Sequence, residues 1–380
     1  MVQQGSAGQA TFDRDEAFAR IRLLRSPNVG PVSFRQLLAR FGTASAALET
    51  LPDLATRGGA AYRLASEPRV AAEIAAVRQL GARFLFHDSA DYPPLLRQAE
   101  GAPPILIARG DAALAARPAV AVVGARNASA AAVHLARQFG GALAEAGYAV
   151  VSGLARGIDG AAHQAALVRQ ARGGGTIGVI ASGIDVAYPP EHAALQEQVA
   201  SEGLLLAEQP CGTEPLARHF PARNRIIAGI AAGTLVVEAA WKSGSLITAR
   251  LAGEMGREVM AVPGSPLDQR SHGCNQLIRD GAVLCQRPED VIELLEGFTG
   301  QPRSTFREPA APFAPATEGS MPDESPAEIA ALLTTAPVAV DELVRQSGAS
   351  PSAVHLALLE LELAGRLTRH AAGRVSLTAG

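Results

Sequence analysis

Two short apolar runs, each followed by a glycine turn, constrain the fold of this chain more than any other feature. The first run spans Ala119 to Val123, and the second spans Tyr148 to Val151. Between them, Leu135, Phe139 and Leu143 recur at the spacing of one helix face. This order predicts a β-α-β unit, in which the two strands lie parallel and buried in one sheet.

The two glycine turns predict an anion site at the carboxyl edge of that sheet. Gly124 closes the first strand, Gly153 follows the second, and each turn leads into a helix. Ser129 is placed to cap the first helix, and Asp159 falls in the first turn of the next one. We therefore expect free backbone N–H groups at this edge, where phosphates bind in sheets of this kind.

Strand-like and helical patterns continue to alternate after this unit. Further strand-like runs cover residues 176–181, 204–207, 234–239, 258–262 and 282–285. Helical patterns fall around residues 160–170, 191–202, 244–256 and 288–295. The alternation predicts the α/β class, with an extended Rossmann-like, doubly wound and mainly parallel sheet. Because two short β runs begin at residue 83, we place this domain at residues 83–297.

The segments on either side of this domain differ from it in composition and periodicity. Residues 1–82 are predicted to form a helical domain, and residues 298–325 are rich in proline, serine and alanine without periodicity, which indicates a linker. Residues 326–380 show the order helix, helix, longer helix and hairpin, which is typical of a winged helix.

One turn in the N-terminal helical domain has two interpretations. The turn from Ser26 to Phe34 resembles a helix-hairpin-helix loop, whose backbone N–H groups can hold a DNA phosphate. However, Pro31 and Val32 depart from the usual second glycine of that loop. We favour a plain helical packing domain.

Composition limits where the chain acts and what it can bind. Its net charge is −3, so any site for a polyanion must be local. The 3 cysteines are scattered, with neither metal-ligand spacing nor a disulfide framework. No apolar run is long enough for a transmembrane helix, and the N-terminal residues lack the pattern of a signal peptide. We expect a cytoplasmic protein without a membrane segment or a metal.

Basic residues occur beside the predicted glycine turns. Arg126 follows Gly124 and can clamp a phosphate with two hydrogen bonds. Lys242, the only lysine of the chain, precedes Ser243 and Gly244 at the start of a predicted helix. Hydroxyl groups, backbone N–H groups and a lysine at a helix N-terminus form a further anion seat.

A basic stretch without acids lies between these two turns. Residues 215–237 contain no Asp or Glu, and Phe220 is followed closely by Arg223, Asn224 and Arg225. Cations beside an aromatic ring are typical of single-strand binding, because the cations follow the backbone and the ring offers a face to a base. The alternative is a solvated basic loop with a core phenylalanine.

No catalytic set emerges from the sequence. There is no nucleophile elbow, no metal cluster and no Walker A loop, and the turn at Gly124 is not the G-x-G-x-x-G fingerprint, so we expect neither NAD nor another cofactor. We interpret His163 and Trp241 as packing residues. The small residues around Gly153 suggest close approach of a ligand backbone. This inventory favours binding over turnover.

The third helix of the predicted winged helix is acidic. It carries Glu360 and Glu362, with only His355 as a cation before Arg366. A helix that reads the major groove is expected to be basic or rich in amides. We therefore favour a protein-contact or regulatory role for this module over duplex binding.

Together the sequence motifs of this chain resemble those of the DNA-processing A (DprA/Smf) family over roughly residues 83–295. The resemblance rests on VVGAR, SGLARGID with His163, GGTIGVIASGIDVAYP, FPARNRII, VVEAAWKSGSLITA, and VMAVPG followed by SHGCNQLIRDGA. One departure is Ala125, where the family more often has Ser or Thr. The N-terminal helices and the winged helix also fit the family's usual extensions.

The resemblance implies a non-enzymatic protein that binds single-stranded DNA, protects incoming strands and loads the RecA recombinase in natural transformation. It also implies a homodimer formed through the Rossmann domain. The implied DNA-binding residues are Gly124, Arg126, Ser152, Gly153, Phe220, Arg223, Asn224, Arg225, Lys242, Ser243 and Gly244. Two alternatives remain open: a Rossmann-type nucleotide-hydrolysing enzyme with Glu238 as its acid, and a duplex-DNA-binding regulator that acts through the winged helix.

Overall fold

The computed structural model describes residues 13–59, 61–170, 174–296, 326–370 and 373–378. The linker predicted at residues 298–325 lies outside these ranges. The described residues form two compact units, one within residues 73–305 and the other within residues 12–72 and 306–380. The division into four segments stays a prediction.

The secondary structure is numbered in chain order. The helices are α1 (Arg14–Arg25), α2 (Pro31–Phe41), α3 (Ala44–Arg57), α4 (Glu67–Gln79), α5 (Pro94–Arg97), α6 (Ala130–Glu145), α7 (Ile158–Val168), α8 (Ala193–Glu202), α9 (His219–Ile230), α10 (Gly244–Glu254), α11 (His272–Arg279), α12 (Pro288–Glu296), α13 (Pro326–Ala331), α14 (Val340–Ser347) and α15 (Pro351–Leu363). The strands are β1 (Arg83–Phe86), β2 (Ile105–Gly110), β3 (Ala119–Val123), β4 (Ala149–Ser152), β5 (Gly175–Gly183), β6 (Leu204–Gln209), β7 (Gly233–Val236), β8 (Glu258–Ala261), β9 (Val283–Leu284), β10 (Val338–Ala339), β11 (Leu367–His370) and β12 (Arg374–Leu377).

The first unit is built on a single large sheet with the strand order β1-β2-β6-β5-β4-β3-β7-β8-β9. Its strands from β3 to β9 are parallel, whereas β1 and β2 extend the sheet antiparallel beside β6. The order β5-β4-β3-β7-β8-β9 is that of the Rossmann fold, in which the chain reverses its winding direction between β3 and β7. This confirms the predicted fold class.

Alternation along the central strands builds a core on each face of the sheet. Ala119, Ala121 and Val123 of β3 face one core, which α9, α10 and α11 cover. Val120 and Val122 face the other core, which α6, α7 and α12 cover. Helices therefore cover both faces, and only the strand ends leave backbone and side chains open to a ligand.

Helix α9 was not predicted from the sequence. It contains the FPARNR stretch and includes Pro221 in its first turn, where a proline is tolerated because its missing N–H needs no partner within the helix. Most of its second half, from Ile226 onward, is buried. The basic stretch is therefore held on a rigid element rather than in a loop.

The second unit contains α1–α3 and the predicted winged helix. The winged helix has α13, α14 and α15 with a small sheet in the order β10-β12-β11, and β11 and β12 form the predicted hairpin. The Ser350 hydroxyl caps α15 by accepting a hydrogen bond from the Ala353 N–H at 3.2 Å. Among the described residues of the whole chain, no helix is long and apolar enough to span a membrane.

Candidate nucleic-acid interface

Two adjoining cavities open where the central strands end. Their volumes are about 260 and 540 Å³, and both are lined by Arg126, Asn127, Ala155, Phe220 and Arg223. We call the two cavities together the strand-edge trough. Because it lies beside the turns after β3, β4 and β7, it occupies the switch point at which ligands bind in open α/β sheets.

Most of the residues predicted to bind DNA line this trough. They are Gly124, Arg126, Gly153, Phe220, Arg223, Asn224, Lys242, Ser243 and Gly244. They come from four separate segments of the chain, which the parallel strands and α9 bring to one edge. The side chains of Arg126 and Lys242 are exposed there.

The structure does not bring Ser152 or Arg225 into the trough. Ser152 is buried, and its hydroxyl donates to the Val122 carbonyl at 2.6 Å within the sheet. Arg225 lies two positions after Arg223 on α9 and so faces a different side of the helix. Its guanidinium forms an ion pair with Glu208 at 2.5 Å.

Phe220 is the centre of a cluster of rings and guanidinium groups. The Cζ atom of Arg126 lies 5.3 Å from the centre of its ring, and that of Arg223 lies at 5.9 Å. Tyr188 meets the ring edge-on, with 5.6 Å between the two centres. These cation–π and edge contacts hold the exposed Arg126 side chain over the trough.

Arg223 is a buried cation at the base of the trough. Its Nη1 atom donates to the Val179 carbonyl at 3.0 Å, and burial lowers the pKa of Arg223 to about 10. A Cβ atom on Gly153 would overlap the guanidinium. Gly153 is therefore small because Arg223 passes over it, whereas the sequence suggested a close ligand backbone.

Asp159 places a carboxylate beside this buried cation. It accepts a hydrogen bond from the Gly153 N–H at 3.1 Å. Burial raises the pKa of Asp159, and the positive charge of Arg223 opposes that rise. The N–H group that we expected to be free for a phosphate is thus already bound by a carboxylate of the chain.

Glu238 occupies the anion site that we expected at the turn after Gly124, where α6 begins. It lies just beyond β7, although the sequence placed it within a strand at residues 234–239. Its carboxylate accepts from the Ser129 N–H at 3.0 Å and from the Ser129 hydroxyl at 2.7 Å. The Ser129 hydroxyl also caps α6, as predicted, by accepting from the Ala132 N–H at 3.1 Å. The N-terminus of α6 is therefore neutralised internally.

The N-terminus of α10 also lines the trough. Gly244 and Ser245 are its first residues and line the larger cavity, and the first N–H groups of a helix have no acceptor within it. Lys242 has a φ of 65°, a left-handed backbone conformation that costs a residue with a Cβ atom about 1–2 kcal/mol of free energy.

Trp241 was interpreted as a packing residue, and the structure corrects this. Its side chain is 61% exposed and lines the trough beside Lys242. Asn127 and Tyr188 were also missed, although both line the smaller cavity. The available signal was the position of Trp241 inside a polar turn, next to the only lysine.

His163 lies in the core behind the trough, as predicted for a packing residue. The Thr176 hydroxyl donates to the Val150 carbonyl at 2.9 Å, so the N–H at Nδ1 of His163 donates to the Thr176 oxygen at 2.6 Å. Burial lowers the pKa of His163 to about 3. The imidazole therefore joins α7 to β5 through Thr176, as a packing residue does.

The fold and the trough together define a Rossmann-like protein with a cationic cleft at its topological switch point. The sequence matches the family described as DNA recombination-mediator protein A over residues 83–296. It also matches the DprA-like N-terminal HHH domain over residues 14–76 and the DprA winged helix domain over residues 309–373. The chain belongs to the DprA/Smf family of DNA recombination mediators, which confirms the resemblance.

Individual relatives agree with this membership. Protein Smf of Synechocystis is 34% identical over 77% of this chain and 79% of its own length. The crystal structure of DNA processing protein A from Streptococcus pneumoniae is 36% identical, covers 74% of this chain and 98% of that chain, and has a TM-score of 0.61. DNA processing protein A from Helicobacter pylori, whose structure is described by its single-stranded DNA binding mode, is 28% identical, covers 57% of this chain and 95% of that chain, and has a TM-score of 0.51.

The buried His163 predicts a specific acid sensitivity. The unfolded chain takes up a proton at this residue below about pH 6.5, whereas the folded protein resists it down to about pH 3. The free energy of unfolding should therefore fall by about 2 kcal/mol between pH 7 and pH 5 on account of this residue alone. Urea unfolding of the protein and of His163→Asn at both pH values measures this contribution as the difference between the two pH dependences. Equal pH dependences would contradict the assignment.

Proposed function

We propose that the strand-edge trough binds single-stranded DNA and that the protein acts in the cytoplasm as a recombination mediator without a catalytic cycle. The observation that carries this proposal is the presence of exposed Arg126 and Lys242 in one trough with aromatic side chains between and beside them. The described binding mode of the Helicobacter relative supports the choice of ligand.

Phosphates are held by side chains and by one helix end. Arg126, steadied over Phe220, offers a planar guanidinium that can clamp a phosphate oxygen pair. Lys242 and the N-terminus of α10 offer a second seat across the larger cavity. Two separated seats suit a polymer with repeating phosphates better than a single mononucleotide.

Bases are held by stacking rather than by hydrogen bonds to their edges. Trp241 is exposed beside the lysine seat, and Phe220 and Tyr188 border the arginine seat. Because every base has a face that can stack, this arrangement gives little sequence preference. The same faces are unavailable in a duplex, where the bases stack on each other, so single strands are favoured.

The nucleotide-hydrolysing alternative gains no support from Glu238. Both of its oxygens accept hydrogen bonds from Ser129, so the carboxylate serves as a helix cap. Asp159, a carboxylate that lines the larger cavity, is buried and accepts a hydrogen bond from the Gly153 N–H. Incubation with nucleoside monophosphates should release no free base, and release that Glu238→Gln abolishes would establish the enzyme instead.

The proposal extends to assembly and to a protein partner. Following the family resemblance, we propose a homodimer through the Rossmann domain, in which two troughs engage one strand and raise its affinity through effective concentration. We propose RecA as the recombinase loaded onto the bound strand. A RecA-loading assay on strands coated with single-strand-binding protein tests this step, and an unchanged rate of RecA filament formation would contradict it.

Removal of either exposed cation should weaken DNA binding without unfolding the protein. Arg126→Ala and Lys242→Ala should each lower the affinity for a labelled oligothymidine about tenfold or more, because a charge-assisted phosphate contact is lost. Each should also reduce the slope of log affinity against log salt by about 0.7, the value expected for one phosphate contact to a single strand. Fluorescence anisotropy across a salt series gives both quantities.

Arg169→Ala is the matched control for the loss of one positive charge. Arg169 is exposed after the C-terminus of α7, pairs with Glu145 at 3.5 Å and lies outside the trough. Its removal should leave the affinity and the salt slope within error of the parent protein. If Arg126→Ala and Lys242→Ala behave like Arg169→Ala, the trough is not the binding site.

Trp241 should act as a stacking face and as a built-in reporter. It is the only tryptophan of the chain, so its fluorescence reports on this position alone. Oligothymidine should quench it, because a base stacks on the exposed indole, whereas polyphosphate, a polyanion without bases, should not. Trp241→Ala should lower the affinity by about 1–3 kcal/mol, and Trp241→Phe should retain most of it. Equal quenching by both polymers would show that the indole senses charge and does not stack.

A further inference from the structure

We propose that α15, the helix that winged-helix proteins insert into the major groove, is in this chain a docking helix for the N-terminal helices α1–α3. The same contact uses the hairpin turn between α1 and α2. The winged helix was a candidate for duplex binding and the hairpin turn for holding a DNA phosphate, and we infer that these two elements contact each other instead. This inference is independent of the trough.

α15 is apolar on two sides. Val354, Ala357, Leu358 and Leu361 pack into the core of the winged helix. Leu359 and Leu363 belong to a different core, which also contains Leu23, Leu37 and Leu51 of α1, α2 and α3. A helix that is hydrophobic on both sides is a buried helix, whereas a groove-reading helix keeps one polar side free.

The backbones of α3 and α15 approach closely at Gly58, the residue that follows α3. A Cβ atom at Gly58 would overlap the carbonyl of Glu360 in α15. The Gly58 carbonyl in turn accepts a hydrogen bond from Nη1 of Arg366 at 3.2 Å. Only a glycine fits this contact, so the sequence of α3 is adapted to the presence of α15.

The two acids that made α15 unsuited to duplex DNA are explained by the same contact. The buried Glu360 lies 3.7 Å from the guanidinium of Arg57 in α3. Glu362 pairs at 2.9 Å with Arg369, whose Nη2 atom donates to Gln36 of α2 at 3.5 Å. Both carboxylates therefore belong to pairs that reach the N-terminal helices.

The hairpin turn is also engaged by the contact. The side-chain amide of Asn28 donates to the Leu363 carbonyl at the end of α15, at 2.9 Å. Within the turn, the Val29 N–H donates to the Ser26 carbonyl and the Gly30 N–H donates to the Ser33 hydroxyl. These groups are the ones that a helix-hairpin-helix loop would offer to a phosphate.

Gly58→Ala tests the contact directly. Gly58 has helical dihedral angles of −68° and −4°, so alanine fits the backbone and would by itself slow or leave unchanged the fraying of α3. If α15 is docked, the added methyl group must push it away, and amide hydrogen exchange in both α3 and α15 of the full chain should become about tenfold faster, as overpacking predicts. Unchanged or slower exchange in both helices would overturn the proposal.

A second variant and a control keep the test specific. Asn28 has a φ of 60°, so Asn28→Gly keeps the backbone while removing the amide that binds the Leu363 carbonyl, and it should also speed exchange in α15. Gly253→Ala in α10, where the Cβ would lie an ordinary 3.8 Å from Val259, should leave both helices unchanged. Protection of α15 that rises with protein concentration would assign the contact to a second copy and overturn the intramolecular proposal.

A further experiment tests duplex binding at the exposed part of α15. Ser352 and His355 are exposed near its N-terminus, where a recognition helix contacts base edges. Ser352→Glu with His355→Glu should leave the anisotropy of a blunt-ended duplex unchanged, because α15 does not enter the groove. A severalfold, salt-dependent loss of duplex affinity in this variant would overturn the proposal.

Discussion

The parallel pairing of β3 with both β4 and β7 is the constraint on which the site depends. At this pairing the winding direction of the sheet reverses, so the turns after three strands meet and no crossover helix covers them. Arg126 follows β3, Gly153 follows β4 and Lys242 follows β7. Residues that are far apart in the chain thus share one trough because of sheet topology, and α9 closes that trough with Phe220 and Arg223.

The chain uses its own carboxylates to satisfy the donors that this topology exposes. Asp159 binds the Gly153 N–H and faces Arg223, and Glu238 binds Ser129 at the start of α6. Unpaired donors and a buried guanidinium would otherwise destabilise the fold. As a result, the groups of the trough that are left for a ligand are the exposed cations Arg126 and Lys242 and the N-terminus of α10. This arrangement is the basis on which we propose a long, repeating polyanion as the ligand, with an affinity that depends on salt.

Much of this arrangement followed from the sequence, and the remainder depended on packing. The strands, the cap at Ser129 and the edge location of Arg126 and Lys242 are set by local period and by turn chemistry. The sequence could not separate Arg223 from Arg225, because only the orientation of α9 decides which one meets the trough and which one meets Glu208. Nor could it show that Gly153 admits Arg223, that Trp241 is exposed, or that Asp159 and Glu238 occupy the expected anion seats. Each of these depends on a neighbour distant in the chain.

A single strand that lies against Lys242 in the trough, as we propose, must shield the amine of this side chain, and chemical footprinting detects such shielding. Lys242 is the only lysine, so its acylation by an amine-specific reagent can be followed on one peptide by mass spectrometry. We expect that saturating oligothymidine slows this acylation severalfold, that raised salt restores the rate, and that a duplex of equal length protects far less. An acylation rate that stays the same when the protein is saturated with oligothymidine would show that the strand does not lie against Lys242.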